Sequence, residues 1–292
     1  MWLFFVPLIP SIIISAMTKS RRIFSALALA AWLASSTAHA AEPLAAGIRP
    51  HLGRPTVFVD GKPASLTAYS PAAGWNRDLF HRQMAHFADR KIDCFFVQIG
   101  QAETPEPRDF FATPLWVGDE VTPRPTVPFR LPPDEQAETI LPDHPHATII
   151  VRFGLHEPAS WRELHADELF VDEDGKRLPV PSLASDAYWD AAARSAAAAI
   201  EYSEGRPWAR RIIGYANFMR MEGTHEPLVQ RSLFDHGPAM TARWRAWLRE
   251  KYGTTEKLRA AHGDASLTFD SVAVPCDRLR GPAAEVAAIP YW

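Results

Sequence analysis

Cysteine is scarce in this chain: its 292 residues hold two, Cys94 and Cys276. Two thiols exclude a disulfide framework and a thiolate metal site. A single bridge in an oxidising compartment is the most they can form, and two buried thiols are the expectation. Basic runs are missing as well, none being longer than an adjacent pair such as Arg210-Arg211, and the formal net charge is -3. That excludes the electrostatic footprint which binding to a phosphate backbone demands, so nucleic acid is not an expected partner. Metal-ligand spacing is absent: the eleven histidines are scattered, the closest pair is His144 and His146, and no His-Glu-x-x-His run occurs. No metal or cofactor is expected. Nor is there an apolar stretch of the about twenty residues that a membrane-spanning helix needs.

What is present is an ordinary globular composition, 47% hydrophobic and 22% charged, long enough for one large domain or two small ones. Ten tryptophans and sixteen phenylalanines are many for this length. Aromatics serve both as core and as platforms for sugar rings, and core is the expectation for most of them.

Residues 1–40 read as a targeting segment. Lys19-Ser20-Arg21-Arg22 gives a positive start, residues 25–33 an apolar stretch, and Ala38-His39-Ala40 a small-residue cleavage signal. Export to the periplasm or the exterior is expected, with cleavage near Ala40 and no stable membrane span afterwards. Ser20-Arg21-Arg22-Ile23-Phe24 leaves the twin-arginine and the general secretion routes both open. Residues 1–16 are apolar but carry Pro7 and Pro10, and read as an overlong gene start or a membrane anchor.

A lead-in segment, 41–64, contains a small hairpin at residues 56–63 built on Asp60-Gly61. Strands are expected at 65–69, 91–100, 147–153 and 212–219, each a short apolar run suited to burial on both faces. Helices are expected between them. One follows Asn76 to about Arg90, with Leu79, Met84, Phe87 and Ala88 on one face. A short one covers 133–141. A long one, capped by Ser185, runs to Ser203 with Trp189, Ala193, Ala197 and Ile200 aligned. The β-α-β order implies parallel pairing with right-handed crossovers. Residues 101–145 carry ten prolines at positions 105, 107, 114, 123, 125, 128, 132, 133, 142 and 145, which leave no room for a long helix or central strand; this stretch is a lid or an insertion. Residues 164–183 read as loop. A helix at 238–251, a shorter one at 255–262 and an extended stretch complete the pattern.

The fourth strand runs into Met221-Glu222-Gly223-Thr224-His225-Glu226-Pro227. An arbitrary glutamate after a strand is a solvated loop charge; these two follow the end of a parallel strand, where α/β barrels carry their catalytic groups. The chain also resembles a known family. Ile213-Gly214-Tyr215 followed by Glu226, Asp235 ahead of Trp244-Arg245-Ala246-Trp247-Leu248-Arg249-Glu250-Lys251-Tyr252-Gly253, then Ala261-His262-Gly263, Thr268-Phe269 and Val274-Pro275 resemble the catalytic barrel of glycoside hydrolase family 42, the β-galactosidase type. Pro158 to Trp161 and His165 to Glu168 resemble its segment after the third strand. The fold this implies is a (β/α)8 TIM barrel of which residues 65–280 supply the first four β/α units, with a tail at 281–292. The activity implied is retaining hydrolysis of an O-glycosidic bond.

In that family the acid/base glutamate follows the fourth strand and the nucleophile the seventh. The resemblance assigns the proton donor to Glu226, with Glu222 as fallback, and substrate binding to His156, Trp161, Asn217 and His225. His225 and Pro227 depart from the family's usual asparagine and aromatic. A retaining mechanism needs two carboxylates about 5 Å apart, and no seventh strand is expected in this chain, so it reads as a fragment without the nucleophile. A non-catalytic carbohydrate-binding protein on the same half barrel is the alternative, with Trp75, Trp116 and Trp161 as stacking groups. An exported enzyme of another barrel class is a third reading. A carbohydrate is the expected partner in the first two. The first and fourth strands, as open apolar edges, make self-association expected.

Overall fold

The computed structural model describes residues 3–4, 43–64, 66–70, 77–90, 92–100, 102, 112–218 and 234–275. Its centre is a mixed α/β unit. Four strands, β5 (Ala68–Tyr69), β6 (Cys94–Ile99), β9 (Thr148–Gly154) and β12 (Ile212–Phe218), lie parallel in chain order. The three long ones end within three residues of where apolar runs place them. Among the described residues the sheet stays open. Its β12 edge, expected to be bare, carries a short antiparallel strand, β1 (Leu3–Phe4), opposite Tyr215 and Ala216.

Helices connect the parallel strands: α1 (Arg77–Ala88) joins β5 to β6, α2 (Pro133–Glu138) lies between β6 and β9, and α4 (Asp186–Glu204) between β9 and β12. A residue expected to cap α1, Asn76, lies outside the described residues. The face that α1 buries is Phe80, Met84 and Ala88. Leu79, expected on that face, is instead exposed, and Phe87 stacks on Tyr69 at 4.0 Å between ring centroids. The Ser185 cap of α4 forms as expected, its hydroxyl accepting from the Tyr188 amide at 3.0 Å. The buried face of α4 is Tyr188, Ala191, Ala192, Ser195, Ala198, Ala199 and Tyr202, while Trp189 is 40% exposed. This differs by about one residue from the expected stripe. An alanine-rich helix is apolar on two adjacent faces, and Tyr188 selects between them: its hydroxyl donates to the Leu155 carbonyl at 2.8 Å, and its ring sits among Trp116 and Trp161.

Three antiparallel strands precede this unit: β2 (Ala46–His51), β3 (Arg54–Val59) and β4 (Lys62–Pro63). The turn between β3 and β4 has positive φ at Asp60 (49°) and Gly61 (76°), as an Asp-Gly hairpin requires. Leu44, Ala46 and Val59, with Leu66, pack on Cys94, Phe96, Ile150, Ile213 and Ala216, so the lead-in segment covers one face of the parallel sheet.

The described part of the proline-rich stretch is packed, not draped. It forms a hairpin of β7 (Trp116–Val117) and β8 (Glu120–Val121), then α2, and it buries Leu115, Trp116, Phe129 and Leu131. A second hairpin, β10 (Leu169–Val171) with β11 (Arg177–Pro181), occupies what reads as loop in sequence. Its Asp172 carboxylate closes the turn by accepting from the amides of Asp174 (3.0 Å) and Lys176 (2.8 Å). Pro179 and Pro181 hide β11 from periodicity, because proline is tolerated only in strands that need not donate everywhere. A short helix, α3 (Ala159–Leu164), precedes that hairpin. After β12, α5 (Pro238–Tyr252) and α6 (Thr255–His262) enclose their own small core of Leu248, Leu258 and Val272.

Gln136 of α2 is 2% exposed and works as a surrogate strand. Its Oε1 accepts from the Gln98 amide at 2.8 Å, and its Nε2 donates to the carbonyls of Gln98 (2.9 Å) and Leu131 (3.0 Å). The two-residue β5 is too short to partner Gln98, so the side chain supplies what the ladder lacks. Gln136→Ala strands these backbone groups and is expected to destabilise the chain by about 2–3 kcal/mol, read as a lower urea midpoint. A loss under about 0.5 kcal/mol, the size of an ordinary surface substitution, would contradict this role.

Candidate functional site

Alternation along a strand sends successive side chains to opposite faces. On the helix-covered face, Val97, Ile99, Ile149, Val151 and Phe153 pack against α4. On the other face the first rows are apolar, namely Cys94, Phe96, Ile150, Ile213 and Ala216 under the lead-in hairpin. The same alternation then brings Gln98 and Arg152 to this second face, and the two are in register on β6 and β9. Ala216 stands opposite Arg152 on β12. Ser70, just past β5, accepts a hydrogen bond from Nη1 of Arg152 at 3.0 Å. An apolar floor therefore gives way to a polar layer of Ser70, Gln98 and Arg152 at the C-terminal ends of parallel strands. Burial lowers the pKa of Arg152 from its ordinary value; a guanidinium stays charged through such a change.

The segment after β9 adds a further polar group. His156 is half-buried there, and Glu157 is 4% exposed beside Arg162. Nη1 of Arg162 donates to the Glu157 carbonyl at 2.9 Å and lies 3.4 Å from its carboxylate. This buried pair ties the turn after β9 to α3. Asp235 plays a similar part where α5 begins: its Oδ1 accepts from the amides of Val171 (3.0 Å) and Gly237 (2.7 Å).

Of the site residues named from sequence, His156, Trp161 and Asn217 are among the described residues. Glu222, His225 and Glu226 lie outside the described residues, as does Trp75; β12, the strand that leads to the two glutamates, ends at Phe218. Trp161 is 1% exposed, stacked on His165 at 4.5 Å and edge-on to Trp116 at 6.1 Å, so its ring is core and offers no face to a sugar. Trp116 is equally enclosed. Asn217 is in register with Phe153 and turns to the helix side. There it lines an open apolar groove of about 300 Å³ together with Phe153, Trp189, Ala193, Ile200 and Tyr215. Ser70, Gln98 and Arg152 are missed by motif reading. A signal for two of them exists: β6 and β9 end in the same pattern, Gln98-Ile99-Gly100 and Arg152-Phe153-Gly154, a polar residue at matched depth in an otherwise apolar run.

Among the described residues no group of three or more histidine, cysteine, aspartate or glutamate side chains is placed to hold a metal, and no helix is long and apolar enough to cross a membrane.

No protein-family model matches the chain, and neither does any curated protein. Solved structures do. A β-galactosidase from the Antarctic haloarchaeon Halorubrum lacusprofundi shares 21% identity at a TM-score of 0.49, over 71% of this chain and 29% of that one. A β-galactosidase from Bacillus circulans sp. alkalophilus shares 18% at 0.46, over 72% of this chain and 28% of that one. The catalytic domain of a β-amylase from Paenibacillus polymyxa shares 15% at 0.43, over 75% and 55%. The chain thus spans under a third of the length of these β-galactosidases. At such identities and scores the likeness assigns neither a family nor a reaction.

Tyr215 connects the groove to α4, its hydroxyl donating to Oε1 of Glu204 at 3.3 Å. Burial is the main cause that pushes its pKa up to about 12, and the Glu204 carboxylate adds to the rise. A phenol whose folded value exceeds its unfolded value of about 10 costs nothing below pH 10, and stability drains away as pH climbs from there to about 12. Tyr215→Phe is therefore expected to unfold later on an alkaline titration followed by circular dichroism, with little difference at neutral pH. Coincident alkaline midpoints would refute the assignment.

Proposed function

We propose that the chain is the first half of an exported (β/α)8 glycoside hydrolase that cleaves O-glycosidic bonds by a retaining, two-carboxylate mechanism. The single observation that carries this reading is the polar layer at the C-terminal ends of β5, β6 and β9, the same end of the parallel sheet toward which β12 runs before the segment with Glu222 and Glu226. In parallel α/β architecture, ligands gather at that end of the strands. The family resemblance of the stretches around Glu226 and after Asp235 supports the same reading, and assigns it to glycoside hydrolase family 42.

Glu226 is the proposed proton donor to the departing glycosidic oxygen, with Glu222 as the fallback. Cleavage also requires an ionised carboxylate to attack the anomeric carbon from about 5 Å away. In this reading that group follows a seventh strand and comes from outside the four units. Ser70, Gln98 and Arg152 take the role of contacts to the sugar ring, together with His156 and His225; Asn217, turned to the helix-covered face, is left out of this set. Trp161 is left to the core. The binding-protein alternative has less behind it, because Trp116 and Trp161, two of its three stacking groups, are enclosed.

Turnover of aryl β-glycosides by the full-length protein, beside its Glu226→Gln variant, tests the assignment. Removing a general acid is expected to slow the reaction by about 10²–10⁴-fold on p-nitrophenyl glycosides. The loss should shrink on dinitrophenyl glycosides, whose leaving group needs no proton. Equal turnover by variant and wild type on both would refute Glu226 as the proton donor.

A further inference from the structure

The hairpin of β2 and β3 sends its outer half away from the body of the chain: residues 48–55 are all exposed. Directly opposed residues share a face, so register sorts the hairpin into two. One face holds Ala46 with Val59, Ile48 with Val57 and Pro50 with Pro55. Its root, Ala46 and Val59, packs on the parallel sheet, and the apolar row then continues outward into solvent, with Ile48 49% exposed. The other face holds Arg49, His51, Arg54, Thr56 and Phe58. There the Arg49 guanidinium lies 3.7 Å from the Phe58 ring centroid and donates to the Gly61 carbonyl at 3.0 Å, while His51 meets the same ring edge-on at 5.6 Å. No carboxylate occurs between Ala46 and Val59; the first beyond them, Asp60, is at the opposite end of the hairpin, where it accepts from the Ala45 amide at 2.9 Å. A chain of net charge -3 thus bears a projection that is cationic on one face and apolar on the other.

Its tip is unlike that of an ordinary edge hairpin. Prolines and charges on an outer strand are accounted for by the need to refuse edge pairing. Leu52 is not. It is 89% exposed at a φ of 50°, followed by Gly53 at 75°. A two-residue turn of that kind favours asparagine, aspartate or glycine at its first position, and a large side chain there is strained. Neither packing nor turn chemistry explains a leucine. From this combination we infer that the β2–β3 hairpin docks the protein on an anionic phospholipid surface, with Leu52 and Ile48 entering the headgroup boundary and Arg49, His51 and Arg54 meeting the phosphates. Apolar side chains gain by leaving water and arginines gain from the negative surface potential, so the two faces act together. An acidic polysaccharide would use the cationic face alone and leave the leucine without a role. Docking of this kind is peripheral, needs no spanning helix, and is independent of any sugar chemistry at the strand ends.

The test is co-sedimentation of the full chain with vesicles of phosphatidylcholine alone and with vesicles that also contain phosphatidylglycerol, for wild type, Leu52→Asn and Arg54→Gln. Residues 1–40 are common to all three proteins, so differences among them read the hairpin alone. Wild type is expected to favour the anionic vesicles, and less so as salt is raised. Leu52→Asn creates the favoured Asn-Gly turn and so keeps the fold; it should weaken binding by about tenfold. Arg54→Gln should weaken binding to the anionic vesicles by about fivefold and change nothing on the neutral ones. Equal binding by wild type and either variant overturns the inference, as does a wild type without preference for anionic vesicles. Retention on immobilised polygalacturonate without binding to vesicles assigns the cationic face to an acidic polymer and overturns it too.

Discussion

Everything in this structure depends on the double ladder of β9. That strand pairs in parallel with β6 along one edge and with β12 along the other, and Ile149, Ile150, Val151 and Phe153 are buried on its two faces. A strand sealed on four sides has no water to satisfy its backbone, so its ladder partners cannot be given up cheaply. Its ends are pinned as well. At the start, Nε of Arg211 donates to the Ala147 carbonyl at 2.7 Å, and the Thr148 amide donates to the Asp93 carbonyl at 2.7 Å. At the finish, the Tyr188 hydroxyl holds the Leu155 carbonyl.

The two faces of that strand have different roles. Toward α4, Val151 and Phe153 meet alanines and tyrosines, and packing there orders the outer layer. Toward the lead-in hairpin, the apolar rows act as a floor. Only at the C-terminal end of this second face do a hydroxyl, an amide and a guanidinium come together, supported by strands that cannot shift relative to one another. Gln136 fixes the backbone of Gln98 from the side that β5 leaves uncovered. A site built from strand ends in this way inherits its precision from the ladder and not from the loops.

The three long parallel strands are legible in the sequence because burial on both faces requires predominantly apolar runs such as Cys94–Ile99 and Thr148–Gly154, each interrupted once near its end by Gln98 or Arg152. Alanine-rich α4 is legible as a helix through its Ser185 cap, but its buried face is not, since choosing Tyr188 over Trp189 takes the tertiary contacts of Trp116 and Leu155. The hairpin of β10 and β11 is hidden by its prolines. At the site, motif reading favours glutamates and tryptophans near strand ends, and so picks Trp161, which the fold encloses. It passes over Arg152, whose meaning appears only when Gln98 and Ser70 are seen beside it. A charged residue inside a strand that must be buried on both faces was the sign, and register is what gives that sign a place.

The central claim is that the polar layer at the ends of β5, β6 and β9 is where a sugar sits. Amide chemical-shift mapping of the full chain with added D-galactose tests it most directly. The account predicts that the largest shifts fall on Ser70, Gln98 and Arg152. Shifts confined to the groove around Trp189, Ala193 and Tyr215, on the opposite face of the sheet, would contradict it.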